Sequence, residues 1–252
     1  MIYAIINQKG GVGKTTTAAA LCDALVRKDK KVLAVDMDAQ SGGLSFVYGA
    51  KRDSRNAVEL LKGAPVAEVI QPINGVDLIA GSSDLANIES VLSKAKLLNK
   101  YALLKTELDK VRSQYDYIII DGPPSLGTAS LNALIAADEI IIPTTPDSKD
   151  LSGLLDLNEV IESVREVFNP DLKIAGVLIT QYKTRTRLAR ELAEVAEDLA
   201  QQIGTRTFNA KIRETNEIGE AHTMRRSIFD YAKRTDVAKD YIEFVEELLA
   251  EE

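Results

Sequence analysis

The segment Asn7–Thr17, NQKGGVGKTTT, constrains the fold of this chain more than any other. It follows the apolar run Ile2–Ile6 and precedes the Ala/Leu-rich stretch Ala18–Val26. A β-branched run, a glycine cluster and apolar residues at helical spacing predict a strand, a loop and a helix in that order. Glycines in such a loop let consecutive backbone N–H groups point inward at phosphate oxygens, next to the positive end of the helix dipole. The segment therefore predicts a phosphate-binding loop.

The loop carries the side chains that a nucleotide with Mg²⁺ requires. Lys14 is placed to reach the β- and γ-phosphates, and the Thr15 hydroxyl is placed to ligate Mg²⁺. Gln8 stands where the usual spacing G-x-x-x-x-G-K-[ST] has its first glycine, and a second lysine, Lys9, opens the loop instead. The predicted phosphate-binding residues are Gly10, Gly11, Val12, Gly13, Lys14, Thr15 and Thr16.

Short apolar runs alternate with segments of helical spacing along the rest of the chain. The predicted strands are Ile2–Ile6, Lys31–Asp36, Val76–Ala80, Tyr117–Ile120, Glu139–Pro143, Ile174–Thr180 and Thr207–Asn209, the last continuing as strand and loop to Arg213. The predicted helices are Ala18–Val26, Asn56–Lys62, Asp84–Leu98, Ala102–Tyr115, Asn132–Ala137, Leu151–Phe168, Arg187–Ile203 and Asp236–Ala250, and Gly42–Ala50 is a loop that leads into a helix.

This alternation predicts an α/β fold of the P-loop type, a mostly parallel, doubly wound sheet with helices on both faces. The 252 residues contain no linker-like segment, so we expect a single domain, 1–252. No apolar run approaches the ~20 residues of a membrane span, and no basic leader precedes the first strand. The single cysteine, Cys22, excludes a disulfide framework and favours the cytoplasm.

Acidic residues follow two of the predicted strands. Asp36 and Asp38 come after the second strand, and Asp121 ends the run Tyr117–Ile120 and precedes GPPS. Ligands of open parallel sheets bind beyond the carboxyl ends of the strands, so we expect these carboxylates near the phosphate loop.

With these motifs the chain resembles the deviant Walker A ATPases, and among them the ParA/Soj partitioning ATPases. The resemblance implies that Asp121 is the Walker B carboxylate, that Asp36 lies near Mg²⁺, and that Asp38 orients the attacking water. It also implies that Lys9 crosses the interface of an ATP-sandwich homodimer and contacts the partner's nucleotide. The metal-binding set is thus Thr15, Asp36 and Asp121, the catalytic set is Lys9, Lys14 and Asp38, and the cofactors are ATP and Mg²⁺.

The resemblance assigns adenine recognition to the loops around Thr180–Tyr182 and Asn209–Arg213, with Gln181 and Lys211 as the candidate side chains. The only histidine, His222, has no carboxylate or cysteine at ligand spacing, and we interpret it as structural.

Basic residues cluster in two places, although the formal net charge of the chain is −7. The first cluster is the stretch Lys183–Arg190, and the second is Arg225–Arg226 with Lys233 and Arg234. By resemblance, both clusters contact DNA non-specifically. The second region departs from the usual family pattern, because the segment KIRETNEIGEAH, residues 211–222, carries glutamates where arginines are common. The candidates for DNA contact in that region are therefore Arg213, Arg225 and Arg226. The predicted DNA-binding residues are Lys183, Arg185, Arg187, Arg190, Arg225 and Arg226.

The resemblance also implies a ParB-like partner that stimulates hydrolysis, and a location on the nucleoid. The alternative is a MinD-like positioning ATPase, but the end of this chain, EFVEELLAEE, is acidic where MinD proteins carry a basic, membrane-binding helix. Because the sequence begins at its first predicted strand, we expect no operator-binding domain before it. Plasmid and chromosomal relatives are not distinguished by these motifs.

Overall fold

One sheet organises the chain in a computed structural model that describes residues 1–53, 55–94 and 100–250. Within these residues eight strands lie in the order β3-β4-β2-β5-β1-β6-β7-β8, and only the β3–β4 pair is antiparallel. The strands are β1 (Ile2–Ile5), β2 (Val32–Asp36), β3 (Gln71–Ile73), β4 (Val76–Ile79), β5 (Tyr117–Asp121), β6 (Glu139–Thr144), β7 (Lys173–Tyr182) and β8 (Thr207–Arg213). The α/β, mostly parallel fold predicted from the sequence is confirmed.

Helices cover both faces of this sheet. They are α1 (Lys14–Arg27), α2 (Leu44–Tyr48), α3 (Ala57–Leu61), α4 (Val66–Val69), α5 (Ile88–Lys94), α6 (Leu103–Asp109), α7 (Thr128–Ala136), α8 (Ser148–Val167), α9 (Arg187–Gln202), α10 (Glu217–Thr223), α11 (Ile228–Tyr231) and α12 (Asp236–Leu249). Two 3₁₀ turns lie at Ser83–Asn87 and Arg112–Gln114.

The core has two layers, one on each side of β1. Ile2 and Ala4 pack with α3 to α9, and Tyr3 and Ile5 pack with α1, α2 and α10 to α12. Alternate side chains of a strand point to opposite faces, so a central strand covered on both sides is apolar throughout. This burial explains why the central strands were recognisable from their sequence.

Four short elements were not predicted from the sequence: β3, α4, α10 and α11. The predicted helix Ala102–Tyr115 is interrupted, since α6 ends at Asp109 and a 3₁₀ turn follows. The predicted helix Asp84–Leu98 begins as the other 3₁₀ turn and continues as α5, and its residues 95–98 lie outside the described part of the chain. In the described residues, no helix is long and apolar enough to cross a membrane.

The topology places the predicted motifs together. β1 lies between β5 and β6, and β2 lies on the other side of β5. The phosphate loop, the Asp36–Asp38 segment and Asp121 therefore leave the carboxyl edges of three consecutive strands in the sheet.

Candidate nucleotide-binding site

The loop between β1 and α1 has the backbone of a phosphate cradle. Gly11 and Gly13 adopt left-handed conformations, with φ of 78° and 86°, which other residues enter only with strain. A Cβ on Gly13 would meet Thr180 at about 3.5 Å. The first turn of α1 begins directly after Gly13, so its free N–H groups face the concave side of the loop.

Side chains from β7 hold this loop in place. The Thr180 hydroxyl lies 2.8 Å from the carbonyl of Val12 and 3.1 Å from that of Thr144. The Gln181 amide donates to the carbonyl of Gly11. Gln181 was predicted to recognise the nucleotide, and its contact in this structure is with the loop backbone.

The two lysines of the loop lie in different environments. Lys14 is 6% exposed, and its Nζ donates to the Lys9 carbonyl at 2.7 Å. Burial lowers the pKa of Lys14, and the negative charges of Asp121 and Asp38 partly offset this. No carboxylate among the described residues forms an ion pair with Lys14, so this buried ammonium is well placed to bind an anionic phosphate.

Lys9 lies on the outer side of the loop. Its Nζ is 2.6 Å from Asp150, whose side chain is 8% exposed against 45% for that of Lys9. The hydrogen bond to Asp150 raises the pKa of Lys9. Thr145 also donates to Asp150, and Asn7 accepts from the Lys9 N–H at 3.0 Å. Nothing in the sequence indicated that Lys9 has a partner on α8.

Asp121 is a fully buried carboxylate at the end of β5. Its Oδ2 accepts from the Thr15 hydroxyl at 2.8 Å, whereas its buried Oδ1 has no hydrogen-bond partner among the described residues. Burial raises the pKa of Asp121 well above its ordinary value, and the nearby Asp36 raises it further. A buried carboxylate oxygen of this kind, beside a threonine hydroxyl at the start of a helix, fits a hard cation such as Mg²⁺.

Asp36 differs from Asp121 because both of its oxygens already accept hydrogen bonds. Oδ2 accepts from the backbone N–H of Ser45 at 2.8 Å and from the Ser45 hydroxyl, and Oδ1 accepts from the Asp38 N–H at 3.0 Å. Burial raises the pKa of Asp36, while these donors lower it. In this structure Asp36 therefore ties the loop after β2 to α2.

The described residues supply only part of the ligand set that a cation at this site would need. In the described residues, no group of three or more His, Cys, Asp or Glu side chains is arranged to hold a metal ion. Asp121 and Thr15 provide a partial coordination shell, which fits an ion that arrives with phosphate oxygens and water.

Asp38 faces the same space, on a loop that is held by an arginine that sequence analysis missed. Asp38 accepts from the Gln40 N–H at 2.9 Å and is 7% exposed. Arg52 donates to four backbone carbonyls around this loop, those of Asp38, Ala39, Gln40 and Gly81, at 2.9–3.3 Å. No periodic pattern marks a residue whose partners are carbonyl groups of a distant loop.

The glycines of the phosphate loop, Lys14, Thr15 and Asp38 border a cavity of about 440 Å³. Part of its wall comes from the end of β8 and the segment that follows it, residues 212–222, and includes Thr215, Asn216 and His222. Burial lowers the pKa of His222, which favours the neutral form of its imidazole. Sequence analysis interpreted His222 as structural, and the fold places it in the cavity wall.

Lys211, predicted to bind the nucleotide, is not among the residues lining this cavity. Its Nζ is 3.4 Å from Glu197 and 5.7 Å from the centre of the Tyr182 ring. Arg213, a candidate for DNA contact, forms ion pairs with Asp240 at 2.7 Å and Asp236 at 2.8 Å.

Two of the predicted DNA-binding residues form ion pairs with acidic neighbours. Lys183 is 3.5 Å from Glu214, and Arg187 is 2.7 Å from Glu191. Arg185 and Arg190 are exposed and form no ion pair with any described residue. The first basic cluster lies between β7 and the beginning of α9, at the edge of the sheet that carries the cavity. Arg225 and Arg226 lie between α10 and α11.

Comparisons with known proteins agree with this geometry. Residues 1–174 match the AAA_31 family model, described as an AAA domain. The chain is 34% identical to the chromosome-partitioning ATPase Soj of Thermus thermophilus, over 98% of this chain and 94% of the relative. It is 35% identical to the sporulation initiation inhibitor protein Soj of Bacillus subtilis, over 99% and 98%.

Solved structures with the same fold include nucleotide complexes. A cobyrinic acid a,c-diamide synthase from Mycobacterium smegmatis, with bound ATP analogue and magnesium, is 32% identical over 98% of this chain and 93% of its own, with a TM-score of 0.84. A plasmid partition protein from Borrelia burgdorferi bound to AMPPNP is 30% identical, over 100% and 99%, with a TM-score of 0.81. The cell division ATPase MinD of Pyrococcus furiosus is 26% identical, over 100% and 99%, with a TM-score of 0.81.

Proposed function

This chain belongs to the Soj/ParA family of partitioning ATPases, and we propose that it is a Mg²⁺-dependent ATPase that segregates DNA as an ATP-bound homodimer. The observation that carries the proposal is the difference in environment between two lysines on one loop. Lys14 is buried toward the phosphate cradle, whereas Lys9 points outward and is half exposed. A second lysine outside a complete cradle is suited to a nucleotide held by another subunit.

The chain's own residues have distinct roles in hydrolysis. The glycines and the first turn of α1 bind the phosphates, and Lys14 neutralises charge on the β- and γ-phosphates. Mg²⁺, when bound beside Thr15 and Asp121, supplies further neutralisation of the phosphate charge. Asp36 positions the loop that presents Asp38, and Asp38 orients the attacking water. Lys9 completes the site of the partner subunit after leaving Asp150.

The DNA contact follows from local rather than net charge. The exposed arginines after β7 and at the start of α9 act on phosphates within about a Debye length, ~10 Å at 0.1 M salt, so an acidic chain can still bind DNA there. The contact residues in this proposal are Lys183, Arg185, Arg187, Arg190, Arg225 and Arg226. A ParB-like protein stimulates hydrolysis, and the ATPase works in the cytoplasm on the nucleoid.

The experiment measures binding of random-sequence duplex DNA with ATP, with ADP and without nucleotide, at increasing salt. We expect binding with ATP only, with log K falling linearly as log[salt] rises. Arg185→Ala combined with Arg190→Ala should weaken binding and make the slope shallower by about 0.9 for each DNA phosphate that is no longer neutralised. Lys30→Ala combined with Lys173→Ala removes the same charge at the opposite edge of the sheet and should change neither value.

Equal binding with ATP and ADP, or equal effects of the two double variants, would contradict the proposal. The structural likeness to MinD supports a second candidate, a positioning ATPase at a membrane. Vesicles of anionic phospholipid test that candidate in the same assay. ATP-dependent association with vesicles and no binding to DNA would favour it.

A further inference from the structure

An apolar groove lies between α1 and α12, at the end of α1 that is remote from the phosphate loop. Its volume is about 350 Å³, and none of its lining residues borders the nucleotide cavity. A helix rises about 1.5 Å per residue, so Lys28 in this groove lies about 20 Å along α1 from Lys14. A ligand of this groove therefore makes no contact with the nucleotide.

The floor of the groove is apolar, and one large apolar side chain is exposed at its edge. The floor consists of four residues that are at most 6% exposed: Ala24, Phe229, Ala238 and Val245. Ile242 also lines the groove and is 43% exposed. Removal of apolar surface from water is favourable, so the groove and Ile242 together favour an apolar partner surface.

The other residues that line the groove are all cations. They are Arg27 and Lys28 at the end of α1, and Lys233 between α11 and α12. No acidic residue of the described chain lines the groove. Arg27 pairs with Asp230 at 2.5 Å, whereas Lys28 and Lys233 are exposed and form no ion pair with any described residue. Two positive charges therefore remain unpaired here, in a chain of formal net charge −7.

Acidic residues accompany Ile242 on the exposed face of α12. Glu243 follows it in the sequence, Glu246 lies one turn further on, and both are exposed. Carboxylates beside the exposed apolar residue are repelled by anionic lipid, which disfavours a membrane as the occupant. A stable interface with a second copy buries about 800 Å² on each chain, and Ile242 is the one large apolar side chain of the groove that is exposed among the described residues. A narrow element of another protein fits this groove better.

We propose that the groove docks an amphipathic helix of a partner protein, with a stripe of large apolar residues and carboxylates on the flank that faces α1. A groove between two helices accepts the apolar face of a third, whose anchoring residues recur at i, i+3, i+4 and i+7. Lys28 and Lys233 come from separate elements, so carboxylates spaced along a helix suit them better than one acidic headgroup. The site is separate from the nucleotide cavity, and the proposal stands whether or not the chain segregates DNA.

The test uses the full-length chain and a synthetic, fluorescein-labelled helix of about 18 residues as the probe. The probe carries leucines at i, i+3, i+4 and i+7, glutamates along one flank and glutamines elsewhere. A matched probe has lysines in place of the glutamates. Fluorescence anisotropy at low salt should show saturable binding of the acidic probe and binding of the basic probe that is weaker by about tenfold or more.

Two variants test the two halves of the groove. Ile242→Ser removes the exposed apolar side chain, and Lys28→Glu combined with Lys233→Glu reverses the unpaired charges. Each should weaken binding of the acidic probe by about tenfold or more, and the effect of the charge reversal should shrink as salt rises. All three positions are exposed, so both variants should fold, which circular dichroism checks.

Matched substitutions outside the groove serve as controls. Val167→Ser changes a residue of α8 that is 69% exposed, and Lys51→Glu combined with Lys173→Glu makes the same charge change on exposed lysines. None of these residues lines the groove, so both controls should bind the acidic probe as wild type does. The proposal is overturned if the two probes bind equally, or if the groove variants match their controls.

Two further measurements identify other occupants, and either result would overturn the proposal. A nucleotide-free dimer in sedimentation that Ile242→Ser abolishes would show that a second copy covers the groove. Loss of duplex DNA binding in Lys28→Glu combined with Lys233→Glu, with binding of the acidic probe unchanged, would show that the cations serve nucleic acid.

Discussion

Replacement of Thr180 by valine tests whether β7 sets the shape of the phosphate loop. Thr180 is 2% exposed, and its hydroxyl lies within hydrogen-bond distance of the carbonyls of Val12 and Thr144. Valine keeps the volume and branching of threonine, so Thr180→Val removes the donor and leaves the packing against Gly13 in place. Any effect then comes from the two carbonyls.

The expected loss of stability follows from the number of protons that the Thr180 hydroxyl can donate. One hydroxyl proton serves two acceptors, so about one hydrogen bond is removed, and a buried carbonyl without a donor costs about 1–3 kcal/mol. We expect the free energy of unfolding to fall by about 1–2 kcal/mol. If the lost hydrogen bond destabilises the loop conformation that binds phosphate, ATP affinity falls by up to about tenfold, since ~1.4 kcal/mol is a factor of ten. The kcat should stay near its wild-type value, because Lys14 and Asp38 are untouched.

Urea unfolding of the nucleotide-free chain and calorimetry with ATP measure these two quantities. The control is Thr106→Val, since the Thr106 hydroxyl also donates to a backbone carbonyl, at 2.9 Å, but on the exposed side of α6. Water can replace that donor, so the control should shift stability by no more than about 0.5 kcal/mol. The reasoning is refuted if Thr180→Val matches the control in both stability and ATP affinity.

Further predictions concern the neighbouring loops. Gly122→Ala places a Cβ about 2.2 Å from the buried Ile6 side chain, so it should lower the free energy of unfolding, measured in urea, by about 1–3 kcal/mol. The control is Gly127→Ala, which has open space around the new Cβ and should leave stability nearly unchanged. Equal effects of the two substitutions would count against the packing argument. Asp38→Ala should keep ATP binding by calorimetry and lose turnover in a phosphate-release assay, and normal turnover would remove its catalytic role. Asp150→Asn should let the ATP dimer form at lower protein concentration in sedimentation, because Lys9 no longer has to leave a carboxylate; an unchanged or weaker dimer would show that the ion pair does not restrain Lys9.

The sequence predicted the elements whose burial leaves a continuous apolar pattern. β1, β2 and β5 are buried on both faces, so their residues are apolar up to the polar residues that end them. The edge strand β3 has three residues, one of them Pro72, and its pairing depends on the turn before β4. Pattern analysis does not detect such a strand, because the run is too short and contains a proline.

Contacts between distant segments were the main part of the site that the sequence did not predict. Lys9 and Asp150 are far apart in the chain, and Arg52 acts on backbone groups that carry no side-chain signal. The segment of α10 and α11 is mostly polar, and it is held by a few buried residues such as Ala221 and Phe229. Residues of this segment, His222 among them, line the same cavity as the phosphate loop, a proximity that depends on the fold.

Local charge was also overestimated from the sequence. The stretch Lys183–Arg190 contains no acidic residue, yet the fold brings Glu214 close to Lys183, and the helix brings Glu191 next to Arg187. Exposed pairs of this kind are weak and are screened by salt. They lower the local charge of the predicted DNA-binding surface without removing it, and they leave Arg185 and Arg190 as its strongest candidates.

Turnover in a mixture of two inactive variants tests most directly whether Lys9 serves the partner's nucleotide. Lys9→Ala and Asp38→Ala should each be inactive alone. In a mixed dimer, the Lys9→Ala subunit retains Asp38 and receives Lys9 from its partner, so one complete site forms. We predict that an equimolar mixture recovers up to about one quarter of wild-type turnover, since random pairing makes about half of the dimers mixed. A mixture no more active than the two variants measured separately would contradict the account.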